Sequence, residues 1–211
     1  MSVPIIPKYY FFTNGVGFDN NKLLSFEKAL RCAGCERFNL VSVSSVLPPN
    51  CIELTKEQGI CKLKSGEIVF CVQSRISTQI KNQSVSAVVS SITSPNKDYG
   101  YFIEFENDRK PFIKNIMEGI SLTYRFMASK EGITHNKPKI NDDDILIAKQ
   151  KYKIEHDGES KFYDKKDTDV LISVGKDMIG EYMVKWNAIS ANNSGKMKWM
   201  TVLALAIFII T

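Results

Sequence analysis

The stretch Trp199–Thr211, WMTVLALAIFIIT, constrains the fold of this 211-residue chain more than any other feature. It holds no charged residue in 13 positions, whereas a helix that spans a membrane needs about 20 apolar residues in a row. A run this short and this rich in β-branched residues reads as a strand buried on both faces. The chain is therefore expected to build its core around this terminal strand, with no membrane as partner. The rival reading, a membrane tether, predicts lipid binding that disappears when residues 199–211 are removed. A core strand predicts unfolding instead.

The length suits one sizeable core, so residues 1–211 are read as a single domain. Hydrophobic residues at 44% and charged residues at 24% give the balance of an ordinary globular protein. The net charge of +5, from 28 Lys+Arg against 23 Asp+Glu, is mild. No basic run interleaved with aromatics accompanies it, which argues against a nucleic-acid partner. Met1–Lys8 lacks the basic and apolar segments of a signal peptide, so a cytoplasmic location is expected and the sequons at Asn82 and Asn192 carry no weight. The five cysteines, Cys32, Cys35, Cys51, Cys61 and Cys71, are an odd set. They read as reduced, partly buried thiols; Cys32-Ala-Gly-Cys35 has no second pair to complete a zinc site.

Along the chain, 9–13 reads as a strand followed by a Gly15/Gly17 turn. Residues 22–33 carry Leu23, Phe26, Leu30 and Ala33 at helical spacing, with Gly34 as the stop. Strands are expected at 38–43, 68–73, 84–91 and 99–105, and an amphipathic helix at about 111–129. From about 130 to 180 the chain turns polar, with the acidic run 141–144, both histidines (His135 and His156) and one hairpin at most, at 145–154; this reads as a solvated insert. Interleaved strands and two strong helices imply a mixed α/β sandwich of the αββα type.

Several chemistries lose support. Both histidines fall in the polar stretch, which argues against a histidine triad or a histidine-bound metal, and no metal is expected. Asn14-Gly-Val-Gly17 is not a dinucleotide fingerprint, and Walker A is absent. An enzyme built from this chain must find its electrophile elsewhere.

The segment Phe38-Asn-Leu-Val-Ser-Val-Ser-Ser-Val-Leu-Pro-Pro49 supplies one. It resembles the self-processing site of the pyruvoyl-dependent arginine decarboxylases, where Asn-Leu opens a strand that leads to Ser-Ser and then Pro-Pro. The resemblance extends to Phe11–Gly17, the family's opening strand and glycine turn, and to Leu24–Leu30, its first helix. It includes Gly66–Val72, Tyr99–Glu104 and the terminal strand Trp199–Phe208. Together it covers roughly 8–126 and 180–209, leaving the polar stretch outside.

The resemblance implies that Ser45 Oγ attacks the carbonyl of Ser44, turning the amide between them into an ester. Such a shift calls for a strained turn and for donors that steady the oxyanion. Elimination leaves a chain of 1–44 and a chain of 45–211; hydrolysis of the dehydroalanine at 45 then gives a pyruvoyl group with loss of ammonia. That covalent cofactor forms a Schiff base with the substrate amine and accepts the electrons left when CO2 departs. By the same resemblance Asn39 assists processing close to the scissile bond, although on sequence alone it equally satisfies a strand end. Glu104 is implied as the proton donor at Cα, a carboxyl expected to be buried beside Phe102 and Phe105, with Glu106 on the same face as the alternative. Glu27 aligns with the carboxylate that holds the substrate guanidinium, where some members carry Asp. The implied reaction is L-arginine to agmatine and CO2, in a homotrimer or hexamer with active sites between subunits. Decarboxylation of another amino acid such as histidine, or a non-enzymatic degenerate relative, are the alternatives.

Overall fold

The computed structural model describes residues 4–96, 98–133, 145–149, 154–156, 159–161, 170–195 and 198–210. In chain order the elements are β1 (Tyr9–Asp19), α1 (Lys22–Ala33), β2 (Asn39–Ser42), β3 (Val46–Leu47), β4 (Ile52–Glu53) and α2 (Lys56–Lys62). β5 (Ile68–Thr78), β6 (Ser84–Thr93), β7 (Gly100–Asn107), α3 (Phe112–Lys130) and β8 (Ala148–Lys149) follow. The chain continues through β9 (Ile154–His156), β10 (Glu159–Lys161), β11 (Val170–Ile179), β12 (Tyr182–Asn192) and β13 (Trp199–Ile209).

Two sheets stack face to face. One has five strands in the order β2-β5-β13-β1-β4, the other six in the order β3-β7-β6-β12-β11-β8. β13 lies at the centre of the first, antiparallel to both β1 and β5. Its alternation is explicit: Met200, Val202, Ala204, Ala206 and Phe208 fill the space between the sheets. Leu203, Leu205, Ile207 and Ile209 face the other way, among residues of α1. No residue from Met200 to Ile209 is more than 3% exposed, as a strand covered on both faces requires. α1 and α2 cover the outer face of the first sheet, and α3 packs on the outer face of the second. The result is the αββα sandwich expected.

Local chemistry explains the helices. Asn21 caps α1 through its side chain, and Gly34 ends it in the left-handed region at φ 76°. Thr55 and Gln58 form a reciprocal capping box that starts α2, a helix the periodicity did not reveal.

The structure corrects two readings. Gly15 and Gly17 are not a turn; they lie inside β1, where α1 crosses the strand at backbone distance. A Cβ at Gly15 would stand 2.1 Å from the Ala29 carbonyl oxygen, and one at Gly17 2.1 Å from that of Ser25. The last ten residues of the stretch read as polar insert form β11, which pairs along its whole length with β12. Of the hairpin expected at 145–154, Ala148–Lys149 pairs with β11 and Ile154–His156 pairs with Glu159–Lys161. The acidic run 141–144 and His135 lie outside the described residues.

Candidate active site

Ser44 and Ser45 occupy the point where the chain leaves one sheet for the other. β2, just before them, is the edge strand of the five-stranded sheet, and β3, just after, is the edge strand of the six-stranded sheet. Backbone hydrogen bonds fix both banks. Val43 N–H donates to the Cys71 carbonyl at 3.0 Å, and Phe102 N–H donates to the Ser45 carbonyl at 2.7 Å. Between them Val46 N–H donates to the Ser44 carbonyl oxygen at 2.9 Å, closing a three-residue turn centred on Ser45. Neither serine has positive φ; the constraint on them is this hydrogen-bonded turn, not left-handed backbone.

Glu104 reaches the same point from β7. Its Oε2 accepts a hydrogen bond from Ser45 Oγ at 3.0 Å. The carboxyl buried between Phe102 and Phe105 is not what the strand produces. Phe102 points into the inter-sheet core and Phe105 packs on the α3 side, because successive residues face opposite ways. Glu104 shares the face of Phe102 but stands at the rim, exposed. Glu106, two residues on, accepts from the backbone N–H of Arg75 at 3.0 Å. That N–H belongs to the part of β5 beyond Cys71, where β2 no longer pairs, so Glu106 satisfies an open strand edge.

Asn39 and Glu27 stand apart from this pair. Asn39 Nδ2 donates to the Gly66 carbonyl at 2.7 Å, and its backbone N–H to Glu67 at 2.8 Å. These bonds tie the start of β2 to the turn before β5. Glu27 is half-buried on α1 in an ion pair with Arg31 at 3.1 Å, one helical turn away. Within one chain, Ser44, Ser45 and Glu104 are brought together, whereas Asn39 bonds to Gly66 and Glu27 to Arg31.

The sequence reading missed the backbone N–H of Val46, which a motif of side-chain letters does not display. It donates to the Ser44 carbonyl oxygen, next to the Ser45 side chain. The residues present fit a group made in place from Ser45: the hydroxyl points at a carboxylate, and the carbonyl before it already has a donor. Among the described residues no cluster of three or more His, Cys, Asp or Glu is placed to hold a metal ion, and no helix is long and apolar enough to cross a membrane.

The family model for pyruvoyl-dependent arginine decarboxylase matches residues 9–211. Similar curated proteins include pyruvoyl-dependent arginine decarboxylase 1 of Methanosarcina acetivorans, 48% identical over 106 residues, which are 50% of this chain and 64% of that protein. Pyruvoyl-dependent arginine decarboxylase 2 of Archaeoglobus fulgidus is 46% identical over 105 residues, 49% of this chain and 67% of the relative. The chain thus spans 55% to 67% of the length of such curated relatives, and 64% of the first. With a match over nearly its whole length, including the Ser44–Ser45 crossing and the Glu104 strand, the chain belongs to the pyruvoyl-dependent arginine decarboxylase family.

Proposed function

We propose that this chain cuts its own backbone between Ser44 and Ser45 and, with the ketone formed at position 45, converts L-arginine to agmatine and CO2. The observation that carries the reading is the Ser45 Oγ–Glu104 hydrogen bond at 3.0 Å, set beside the Val46 N–H that holds the Ser44 carbonyl oxygen at 2.9 Å. As Ser45 Oγ attacks the Ser44 carbonyl carbon, Glu104 takes the hydroxyl proton and Val46 N–H faces the oxygen on which charge develops. The C–N bond breaks and leaves an ester. Loss of the Cα proton of residue 45 expels the Ser44 carboxylate, and water then displaces ammonia. The pyruvoyl ketone supplies an electrophile that binds the substrate amine and takes up the electron pair released with CO2. Glu104, already beside residue 45, is the group placed to return a proton to the substrate Cα.

Arginine as substrate agrees with the names of the relatives and with the carboxylate at Glu27, which suits a guanidinium. Its partner Arg31 must give way for that. Two exposed apolar patches support a homotrimer or hexamer in which α1 of one copy covers the Ser45 edge of another. Leu23 and Leu24, beside Glu27, are 72% and 50% exposed, and Val41 and Val46, beside the serines, are 40% and 45% exposed. In that arrangement the substrate guanidinium meets Glu27 from a neighbouring copy. Release of CO2 from arginine, lysine, ornithine and histidine is the test. Turnover of arginine above the other three supports the reading; turnover of histidine alone replaces the substrate, and none from a cut chain overturns it.

A further inference from the structure

After the cut, residue 45 is a chain end, and something must hold it against Glu104. The arm from Ser45 to Glu53 has little backbone pairing of its own. β3 and β4 are two residues each. Pro48 and Pro49 between them bring no N–H donors. Before cleavage the peptide bond to Ser44 also ties the arm to β2; afterwards that tie is gone.

A side-chain cluster at the far end of the arm compensates. Glu53 Oε2 accepts from Lys185 Nζ of β12, in the opposite sheet, and from the hydroxyl of Tyr10 at 3.3 Å. Tyr10 is 2% exposed. Burial first, and the Glu53 carboxylate second, push its phenol well above the ordinary range, so it stays a donor. The Tyr10 ring meets Phe102 edge-on at 5.2 Å between centroids, and Phe102 N–H is the group that holds the Ser45 carbonyl. Leu47, 1% exposed, seats the middle of the arm in the core. The arm is thus pinned at Glu53 and at Ser45 by groups in contact with one another.

We propose that Glu53, held by Lys185 and Tyr10, is a positioning residue: it anchors the arm 45–53 so that the electrophile at 45 stays in register with Glu104 once the chain is cut. This rests on the self-cleavage reading above. The test uses the full chain carrying Lys185→Met or Glu53→Gln. Each variant should cut at the same bond as wild type, with kcat for arginine per cut chain lowered on the order of 10-fold to 100-fold, as a misplaced reacting group costs, and KM within about twofold. Hydrogen exchange of the amides at 46–54 should speed up in the cut variants. In an uncut Ser45→Ala background the same substitutions should leave that exchange unchanged, because the peptide bond to Ser44 still holds the arm. Lys185→Arg keeps the ion pair and should recover most of kcat, which separates loss of the tie from a failure to fold. Wild-type kcat in both variants overturns the proposal, as does equal acceleration of exchange in the uncut background. A wild-type chain that never cuts overturns the parent reading instead, and does so in its mass spectrum before any variant is made.

Discussion

Glu104 and Glu106 stand two residues apart on one face of β7, and their partners give them different work. Glu104 faces the hydroxyl of Ser45, whereas Glu106 closes an open backbone donor at Arg75. Glu104→Gln should therefore lower kcat by roughly 10²- to 10⁴-fold, the usual worth of a positioned proton donor, and slow self-cleavage as well. Glu106→Gln keeps a carbonyl to accept from Arg75 and should change kcat by no more than about twofold, as a surface substitution of small energetic effect does. Steady-state rates normalised to cut chain check both. Choosing between these carboxylates from sequence required the family motif, because period 2 puts them on the same face and nothing in the letters shows which meets Ser45. The same limit applies to Asn39, whose side chain goes to Gly66, and to Glu27, whose proposed role depends on a neighbouring copy. Glu27→Gln should raise KM for arginine on the order of 10-fold while leaving self-cleavage intact, since it removes one charged partner of the guanidinium.

At the scale of elements, β1 and α1 show why part of the fold was legible and part was not. Apolar spacing gave the helix, and the run of apolar residues gave β13. The two glycines of β1 looked like punctuation, yet they are where the α1 backbone lies against the strand. Gly17→Ala would set a methyl group 2.1 Å from the Ser25 carbonyl oxygen and 2.4 Å from the Ala29 nitrogen. It should destabilise the fold by about 1–3 kcal/mol or more, the cost of forced overpacking, read as a lower denaturation midpoint. α2 escaped notice because it is only seven residues with Gly59 in its interior; it depends on its capping box and on Gly59 fitting against the Phe11 ring. β12 carries Lys185 and Asn187 on its inner face, where each finds a partner: Glu53 for the first, Asn14 and the Thr13 carbonyl for the second. Such satisfied polar positions break the alternation that marks a strand.

Across the whole molecule, the layered core also decides how the thiols behave. Cys35 and Cys71 are fully buried, and burial pushes their thiols up to about 12 and about 11 from an ordinary 9.0. The folded chain keeps these protons longer than the unfolded chain, so their contribution is complete below about pH 9 and is lost as pH rises towards 11 and 12. Each should cost on the order of 1 kcal/mol of stability per pH unit above 9, visible in urea unfolding between pH 8 and 10, and Cys71→Ala should remove only its own share of that slope. At neutral pH a thiol reagent should label the exposed Cys61 fastest in the folded protein, the half-buried Cys32 and Cys51 more slowly, Cys35 and Cys71 not at all, and all five in urea. The sandwich also accounts for the position of the serines. Where the chain crosses between two sheet edges, the Ser45 hydroxyl meets the Glu104 carboxylate of the second sheet. Denaturing intact-mass measurement of the purified protein tests that account most directly. It should give two chains, residues 1–44 and residues 45–211, the larger blocked at its N-terminus and lighter than a serine-initiated chain by the mass of one ammonia. A single 211-residue chain that stays whole on incubation would contradict it.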